Sequence, residues 1–151
     1  MAVKVGDAAP DFTLKSNKGK SIRLQSLYKR KPVVLYFYPK DNTPGCTKEA
    51  CGFRDSYEEF KTLGAEVVGI SSDSVDSHQA FATSNNLPFQ LLSDQGDQVR
   101  KLYGVPSTLG ILPGRVTYII DKKGIIQKIF NSQLNVGGHI KTAIKTLEKL
   151  K

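Results

Sequence analysis

Two apolar stretches of the chain predict strands that are buried on both faces of a sheet. One covers residues 32–38 (Pro-Val-Val-Leu-Tyr-Phe-Tyr), and the other covers residues 65–71 (Ala-Glu-Val-Val-Gly-Ile-Ser). Short β-prone runs of this kind are typical of central strands. Nearer the N-terminus, residues 12–14 and 22–24 flank the turn sequence Asn-Lys-Gly-Lys, which predicts a β-hairpin.

Helical patterns alternate with these strands along the rest of the chain. A helix is predicted over 44–63 and closed by Gly64, and a second over 75–86 has Ser74 as its cap. The remaining predicted elements are a strand at 91–92, a helix at 97–103, a loop at 104–114, a hairpin of 115–120 with 125–130, and a last helix over 139–150 that Gly137 and Gly138 introduce.

This order of elements indicates the fold class. Strands and helices alternate first, and a hairpin then closes the sheet, so we expect an α/β protein with a mixed central β-sheet, helices on both faces and an N-terminal β-hairpin extension. The chain has 151 residues and shows no internal repeat or linker. We therefore expect one domain over residues 1–151.

Composition narrows the class of protein. Hydrophobic residues make up 39% of the chain, and no apolar run is long enough to span a bilayer. The first residues lack the apolar core of a signal peptide, and they are too few and too acidic for a transit segment. We expect a cytoplasmic protein, with a mature plastid form as the alternative.

The net charge of +8 is concentrated near the N-terminus. Eight basic residues and no acidic one lie between Asp11 and Asp41. A patch of one sign steers acidic partners, although a solvated surface is the more ordinary explanation. No arginine-rich helix or aromatic stacking motif accompanies the charge, so the sequence does not favour nucleic-acid binding.

The only two cysteines of the chain, Cys46 and Cys51, lie five positions apart. Together with His78 and His139 they lack the paired short spacings of zinc sites, so we expect no metal. Their spacing also differs from the Cys-x-x-Cys of thioredoxin-type redox pairs. Two thiols this close still suggest redox chemistry at sulfur.

The position of Cys46 favours its ionisation. Thr43 is a suitable N-cap and Pro44 suits the first helical position, which places Cys46 in the first turn of the helix. Unpaired amides and the helix dipole there favour thiolate, the nucleophilic form of cysteine. Gly45 would let a small substrate approach the backbone closely. A buried cysteine can also be a simple apolar residue, and Cys46 does begin an apolar helical stripe.

Helical geometry separates the two sulfurs. On an ideal helix Cys51 lies about 140° round from Cys46, and their Cα atoms are roughly 8.7 Å apart. A disulfide needs about 7 Å or less. A bond between the two would therefore require the start of the helix to unwind.

The residues around Cys46 resemble a known active-site motif. The pattern Pro39-x-x-x-Thr43-x-x-Cys46 is similar to that of the peroxiredoxins, and the whole of 36–51 resembles the peroxiredoxin Q (bacterioferritin comigratory protein) subfamily. The resemblance extends over nearly the whole chain, through Gly-Asp-x-Ala-Pro-Asp-Phe at 6–12, Val-Val-Gly-Ile-Ser at 67–71, Leu-Leu-Ser-Asp at 91–94 and Pro-Gly-Arg-Val-Thr-Tyr at 113–118.

The resemblance implies a thioredoxin-like fold and a monomeric thiol peroxidase. Its substrates would be hydrogen peroxide and organic hydroperoxides, and it would need no cofactor. Cys46 matches the peroxidatic cysteine, which becomes a sulfenic acid, and Cys51 matches the resolving cysteine. Thioredoxin or a similar dithiol would then reduce the Cys46–Cys51 disulfide.

Supporting residues are implied in the same way. Thr43 and Arg115 match residues that hold the peroxide and activate the thiolate. Glu49 matches the position that orients the arginine, and Pro39 matches the residue that shields the site. Without the resemblance, Arg115 would be an ordinary surface residue at the start of a strand.

Two other functions are compatible with the sequence. A general thiol–disulfide oxidoreductase of the same fold would exchange disulfides on protein substrates without peroxide. A non-catalytic binding module would use the basic N-terminal third, with incidental cysteines. The absence of Cys-x-x-Cys argues against the first, and measured peroxide consumption would separate these two functions from a peroxidase.

Overall fold

A mixed β-sheet is the centre of the computed structural model, which describes residues 2–107 and 113–150. In this part of the chain the strands are β1 (Thr13–Ser16), β2 (Ser21–Arg23), β3 (Val33–Phe37), β4 (Glu66–Ser71), β5 (Gln90–Ser93), β6 (Val116–Ile120) and β7 (Ile126–Asn131). They are ordered β2-β1-β5-β4-β3-β6-β7. The N-terminal hairpin of β1 and β2 thus extends one edge of the sheet, as predicted.

Strand direction changes on either side of the sheet centre. β3, β4 and β5 are parallel, whereas β6 runs antiparallel beside β3, with Leu35 opposite Tyr118. Because β6 is reversed, the residue before its first position lies beside the carboxyl end of β3. The segment that follows β3 and the segment that precedes β6, which are far apart in sequence, therefore meet at the same end of these two strands.

Helices cover both faces of the sheet, which confirms the predicted fold class. They are α1 (Leu24–Tyr28), α2 (Pro44–Asp55), α3 (Tyr57–Thr62), α4 (Val75–Ser84), α5 (Gln98–Tyr103) and α6 (Val136–Leu150). α2, α3, α4 and α6 contribute to the core on one face, and α1 and α5 contribute to the core on the other. None of the helices in the described part of the chain is long and apolar enough to cross a bilayer.

β3 divides its side chains between the two cores, as a strand buried on both faces must. Val34 and Tyr36 belong to the core beneath α2, whereas Leu35 and Phe37 belong to the opposite core. All of its residues are buried, so the apolar run of the sequence is explained by burial on both sides.

The helix predicted over 44–63 is divided in the structure. At Ser56 the backbone ψ is 7°, away from the helical value, and α3 begins at the next residue. Phe53 and Phe60, on either side of the break, both remain buried, with ring centroids 5.7 Å apart. The break thus allows both rings to reach the same core. Gly64 ends the second helix with a positive φ of 74°, as expected.

The prediction lacked α1 altogether and placed the start of α6 three residues too late. The expected strand at 22–24 ends at Arg23, because α1 begins at Leu24 and Asp11 accepts the Gln25 amide hydrogen. α6 begins at Val136 rather than residue 139, since the Asn135 side chain accepts the Gly138 amide hydrogen and caps the helix.

The other predicted boundaries agree to within two residues. Ser74 caps α4 by accepting the Ser77 amide hydrogen, which confirms the predicted cap. Part of the loop predicted at 104–114 lies outside the described residues.

Gly69 of β4 provides a test of how closely the core beneath α2 is packed. A Cβ at this position would lie 2.8 Å from Leu91 Cδ2 and 2.8 Å from Tyr36 Cζ, and both side chains are fully buried. We predict that Gly69→Ala lowers the free energy of unfolding by about 1–3 kcal/mol, measured by urea denaturation. Gly137→Ala is the matched control, because its Cβ would meet no atom within 4 Å. Equal effects of the two substitutions would contradict the prediction.

Candidate active site

Cys46 lies buried at the start of α2, just beyond the carboxyl end of β3. Only 1% of the residue is exposed, and it shares the sheet-facing side of the helix with Ala50 and Phe53. Pro44 occupies the first turn, as predicted. The thiol is therefore held where the helix dipole favours negative charge and where little water reaches it.

Thr43 occupies the N-cap position with an extended backbone, but its side chain does not cap the helix. This part of the prediction is wrong. The hydroxyl instead donates a hydrogen bond to the Lys40 carbonyl oxygen at 2.8 Å. Asn42, between them, adopts a left-handed conformation with φ of 63°, which turns the chain back toward Lys40. The lone pairs of the Thr43 hydroxyl are left to accept from another donor. Pro39, two residues before Asp41 in this loop, is half-buried.

Arg115 reaches Cys46 from the residue before β6, 69 positions along the chain. Its Nη2 donates to Cys46 Sγ at 3.4 Å, and its Nη1 donates to Glu49 Oε1 at 2.6 Å. Its Nε donates to the Gln133 carbonyl oxygen at 3.2 Å. The guanidinium is thus fixed on three sides. The structure brings together Cys46, Glu49 and Arg115, which are three of the residues that the resemblance singles out.

Gly45 allows this approach. A Cβ on Gly45 would lie 2.9 Å from Arg115 Nη2, so a side chain here would displace the guanidinium. The absence of a side chain serves the contact between Arg115 and Cys46. The close approach of a substrate to Gly45 stays a prediction.

Glu49 is completely buried, and its two carboxylate oxygens differ in their hydrogen bonding. One carboxylate oxygen accepts from Arg115, while the other, Oε2, has no hydrogen-bond partner among the described residues. Burial raises the pKa of Glu49 to about 7, although the neighbouring Arg115 charge opposes this rise. The carboxyl group can therefore gain or lose a proton near neutral pH.

His139 of α6 stands behind Glu49, and the sequence interpretation missed its place beside the site. Its Nδ1 lies 3.6 Å from Glu49 Oε2 and 2.7 Å from Thr117 Oγ1, and its Nε2 lies 2.7 Å from the Ser132 carbonyl oxygen. A carbonyl oxygen can only accept, so Nε2 carries the hydrogen and Nδ1 accepts from the Thr117 hydroxyl. Burial, helped by the Arg115 charge, lowers the pKa of His139 to about 4, so the ring is neutral.

A sequence signal for His139 does exist. It lies among the buried residues of one helix face, which also includes Val136, Ile140, Ala143 and Leu147. A histidine in the middle of an apolar stripe needs polar partners inside the protein. Only the folded sheet shows that these partners are Thr117 and the strand end at Ser132.

Cys51 is half-buried on α2 and faces the end of α4. Its thiol lies 3.7 Å from Asn85 Oδ1, and both cysteines are free. α2 is unbroken from Pro44 to Asp55, so the roughly 8.7 Å separation of the two Cα atoms on an ideal helix applies. A Cys46–Cys51 bond still requires the first turns of α2 to unwind.

Asp41, Asp73 and His78 form a cluster that could offer ligands to a metal ion, with one atom from each within 4.8 Å of the others. However, both Asp41 oxygens already have partners. Oδ1 accepts from the Tyr38 hydroxyl at 2.6 Å, and Oδ2 lies 2.9 Å from Ser77 Oγ and 2.7 Å from His78 Nδ1. The cluster is therefore a closed hydrogen-bond network that anchors the loop preceding Thr43.

Comparison with known proteins shows which family the chain belongs to. Residues 5–129 match the model of the AhpC/TSA family. The chain is 57% identical over 150 residues to a chloroplastic peroxiredoxin Q of Sedum lineare, covering 99% of this chain and 80% of that one. It is 58% identical over 149 residues to the corresponding protein of Populus jackii, covering 98% of this chain and 70% of that one.

Solved structures agree. The peroxidoxin BcpB of Mycobacterium tuberculosis superposes with a TM-score of 0.91 at 39% identity, covering 98% of each chain. The peroxiredoxin Q of Xanthomonas campestris superposes with a TM-score of 0.86 at 28% identity, covering 97% of this chain and 96% of that one. Another structure from this organism is described as giving insight into alkyl peroxide reduction by bacterioferritin comigratory protein. The thioredoxin-like fold implied by the resemblance is thus confirmed.

The raised pKa of Glu49 predicts a pH-dependent contribution to stability. The folded protein keeps the proton on Glu49 up to about pH 7, whereas the unfolded chain releases it near the ordinary value of 4.5. The stability gained from this proton is therefore complete below pH 4.5 and lost as the pH rises to about 7. Relative to Glu49→Gln, the free energy of unfolding of the parent protein should fall by about 3 kcal/mol over this interval.

Urea denaturation at a series of pH values measures this difference. Glu148→Gln, an exposed carboxyl on α6, is the control, and its difference from the parent should stay flat. A parent protein that gains stability relative to Glu49→Gln as the pH rises would show that Glu49 is buried as a carboxylate.

Proposed function

The chain belongs to the AhpC/TSA family and, like its peroxiredoxin Q relatives, is a thiol peroxidase, and from this premise we propose that Cys46 is the sulfur that attacks the peroxide. One observation carries the proposal. A buried arginine donor lies 3.4 Å from Cys46 Sγ at the start of a helix, where a thiolate is stabilised from two directions. The other cysteine, Cys51, has the Asn85 amide oxygen as its hydrogen-bond partner among the described residues.

In the first step the Cys46 thiolate attacks one oxygen of the peroxide. An S–O bond forms, the O–O bond breaks, and the leaving oxygen takes up a proton as water or an alcohol. Negative charge moves from sulfur to the leaving oxygen, so donors fixed around that oxygen lower the barrier. Arg115 supplies charged donors that are already oriented by Glu49 and the Gln133 carbonyl.

Thr43 has a different part in this step. Because its single hydroxyl hydrogen is donated to Lys40, the oxygen is free to accept the O–H of the peroxide. Thr43 would orient the substrate, while Arg115 and the amide groups of the first helical turn stabilise the charge that develops. Gly45 leaves room for this arrangement, and Pro39 shields it from water.

In the second step Cys51 resolves the Cys46 sulfenic acid. The Cys51 sulfur forms the disulfide, and the sulfenic oxygen leaves as water. For the sulfurs to meet, the first turns of α2 must unwind and the contact between Cys51 and Asn85 must break. Thioredoxin or a similar dithiol then reduces the disulfide by exchange and is itself oxidised. No metal or organic cofactor takes part in this cycle.

The domain organisation, the oligomeric state, the basic surface and the location belong to the same proposal. Residues 1–151 form a single domain that works as a monomer, and the basic surface near the N-terminus guides an acidic reductant. The chloroplastic names of the plant relatives support a plastid location, while the cytoplasmic location stays a prediction.

Replacement of Cys46 tests the first step. Cys46→Ser removes the nucleophile, and we expect peroxide consumption in the presence of thioredoxin and its reductase to fall by about 10⁴-fold or more. Stopped-flow measurements with hydrogen peroxide and an organic hydroperoxide provide the rates. Unfolding in urea serves as the control for fold. If Cys46→Ser consumed peroxide at the parent rate, Cys46 would not be the reacting sulfur.

Replacement of Cys51 separates the second step from the first. We expect Cys51→Ser to consume one equivalent of peroxide at about the parent rate and then to stop, because the sulfenic acid at Cys46 has no partner. Mass spectrometry after trapping with a sulfenic-acid reagent should find the label on Cys46. Sustained turnover of this variant with thioredoxin would remove Cys51 from the cycle.

A further inference from the structure

Arg100 of α5 reaches the site from the other face of the sheet. The residue is only 7% exposed, and its guanidinium lies over the Phe37 ring at 5.7 Å, in the core opposite Cys46. Its Nη2 donates to the Tyr38 carbonyl oxygen at 2.9 Å, and its Nη1 donates to the Gly114 carbonyl oxygen at 2.8 Å. One buried side chain thus joins two backbone segments.

The two acceptors are significant because of the residues that follow them. Tyr38 directly precedes Pro39, where the loop that leads to Thr43 and Cys46 begins, and Gly114 directly precedes Arg115. A hydrogen bond to a carbonyl fixes the plane of the peptide that joins it to the next residue. Arg100 therefore fixes two peptides. One joins Tyr38 to Pro39 and leads to Cys46, and the other joins Gly114 to Arg115.

The surroundings hold Arg100 in place. Asp94 accepts the amide hydrogens of Val99 and Arg100, each at 3.0 Å, which anchors the start of α5. Asp97 Oδ1 lies 3.7 Å from Arg100 Nε. The Gly114 backbone is closely packed as well, since a Cβ there would overlap the Pro106 carbonyl oxygen. A shift of the Tyr38 or the Gly114 backbone would therefore disturb its hydrogen bond to the guanidinium.

An arginine suits these two contacts, because each terminal nitrogen donates to a different carbonyl. Its planar fork offers two donors at a fixed separation, whereas a lysine has a single nitrogen at the end of a flexible chain. The carboxylate of Asp97 lies near Nε only, and the two terminal nitrogens both donate to backbone carbonyls. This arrangement favours the fixing of geometry over the formation of an ion pair.

We propose that Arg100 is a positioning residue of the peroxidase reaction, which sets the distance across the site between the loop at Pro39 and the guanidinium of Arg115. It does not touch the peroxide. The proposal rests on the proposed function of Cys46 and Arg115.

The test separates the peroxide reaction from simple exposure of the thiolate. Peroxide cleavage needs Arg115 and the loop at Pro39 at the correct distance from each other. Alkylation of Cys46 by iodoacetamide needs only an accessible thiolate. For Arg100→Lys, which keeps the charge and loses the fork, we expect the single-turnover rate constant with hydrogen peroxide to fall by about 10- to 100-fold. The alkylation rate constant, read by mass spectrometry at Cys46, should change by less than about threefold.

Two further variants sharpen this result. Lys101→Ala removes an exposed charge from the next position of α5 and should leave both rate constants unchanged. Arg100→Ala should lose as much peroxide reactivity as Arg100→Lys and regain part of it in millimolar guanidinium chloride. Methylammonium chloride at the same concentration should not restore it, because this cation lacks the fork.

Each result decides the proposal. A folded Arg100→Lys protein with the parent peroxide rate would overturn it, and so would a parallel fall in the peroxide and alkylation rates. Unfolding of both Arg100 variants in urea-free buffer would also overturn it, since Arg100 would then hold the fold rather than the site. Failure of the proposed function is seen separately, as a parent protein whose Cys46 does not react with peroxide.

Discussion

The Arg115 guanidinium is the group around which the site is organised. A charge removed from water must be met by partners on every side that the protein closes, and for Arg115 three partners come from two separate segments. Glu49 and the Cys46 sulfur are both on α2, and the Gln133 carbonyl lies between β7 and α6. Because β6 runs antiparallel to β3, Arg115 arrives at the carboxyl end of β3, where the helix carrying Cys46 begins. The position of this one cation thus depends on the direction of β6, on the place where α2 begins and on the length of the arginine side chain.

That cation is shared by two groups that can each carry a negative charge. The Glu49 carboxyl group is held by one oxygen only, and burial keeps its pKa near neutrality, while neutral His139 faces its other oxygen without adding a charge. A protonated Glu49 leaves the whole guanidinium charge to the Cys46 sulfur. In the proposed cycle the sulfur loses its charge when it becomes a sulfenic acid, and the balance then moves back toward Glu49. The site is accordingly a set of coupled charges rather than one activated thiol.

The sequence shows part of this site and hides the rest for physical reasons. Thr43, Cys46 and Glu49 fall within one short motif, so local spacing places them on one helix start. Arg115 is visible only through resemblance, because nothing local distinguishes it from a strand-start surface residue. His139 and Arg100 lie on other helices, and their partners depend on strand order and register, which periodicity alone does not provide. The same limit explains the division of the long helix at Ser56, where two rings reach one core by a bend that helical periodicity does not predict.

The 69 residues between Cys46 and Arg115 also have a consequence for the way the protein is made. Synthesis proceeds from the N-terminus, so the ribosome completes the cysteine long before the arginine that faces it. Until β6 docks beside β3, the thiol lies on a growing polypeptide without the guanidinium that orients its chemistry. Reactivity toward oxidants would thus arise only when the last third of the chain has been added. On the proposed mechanism, a nascent molecule would lack the peroxide reactivity of the finished one.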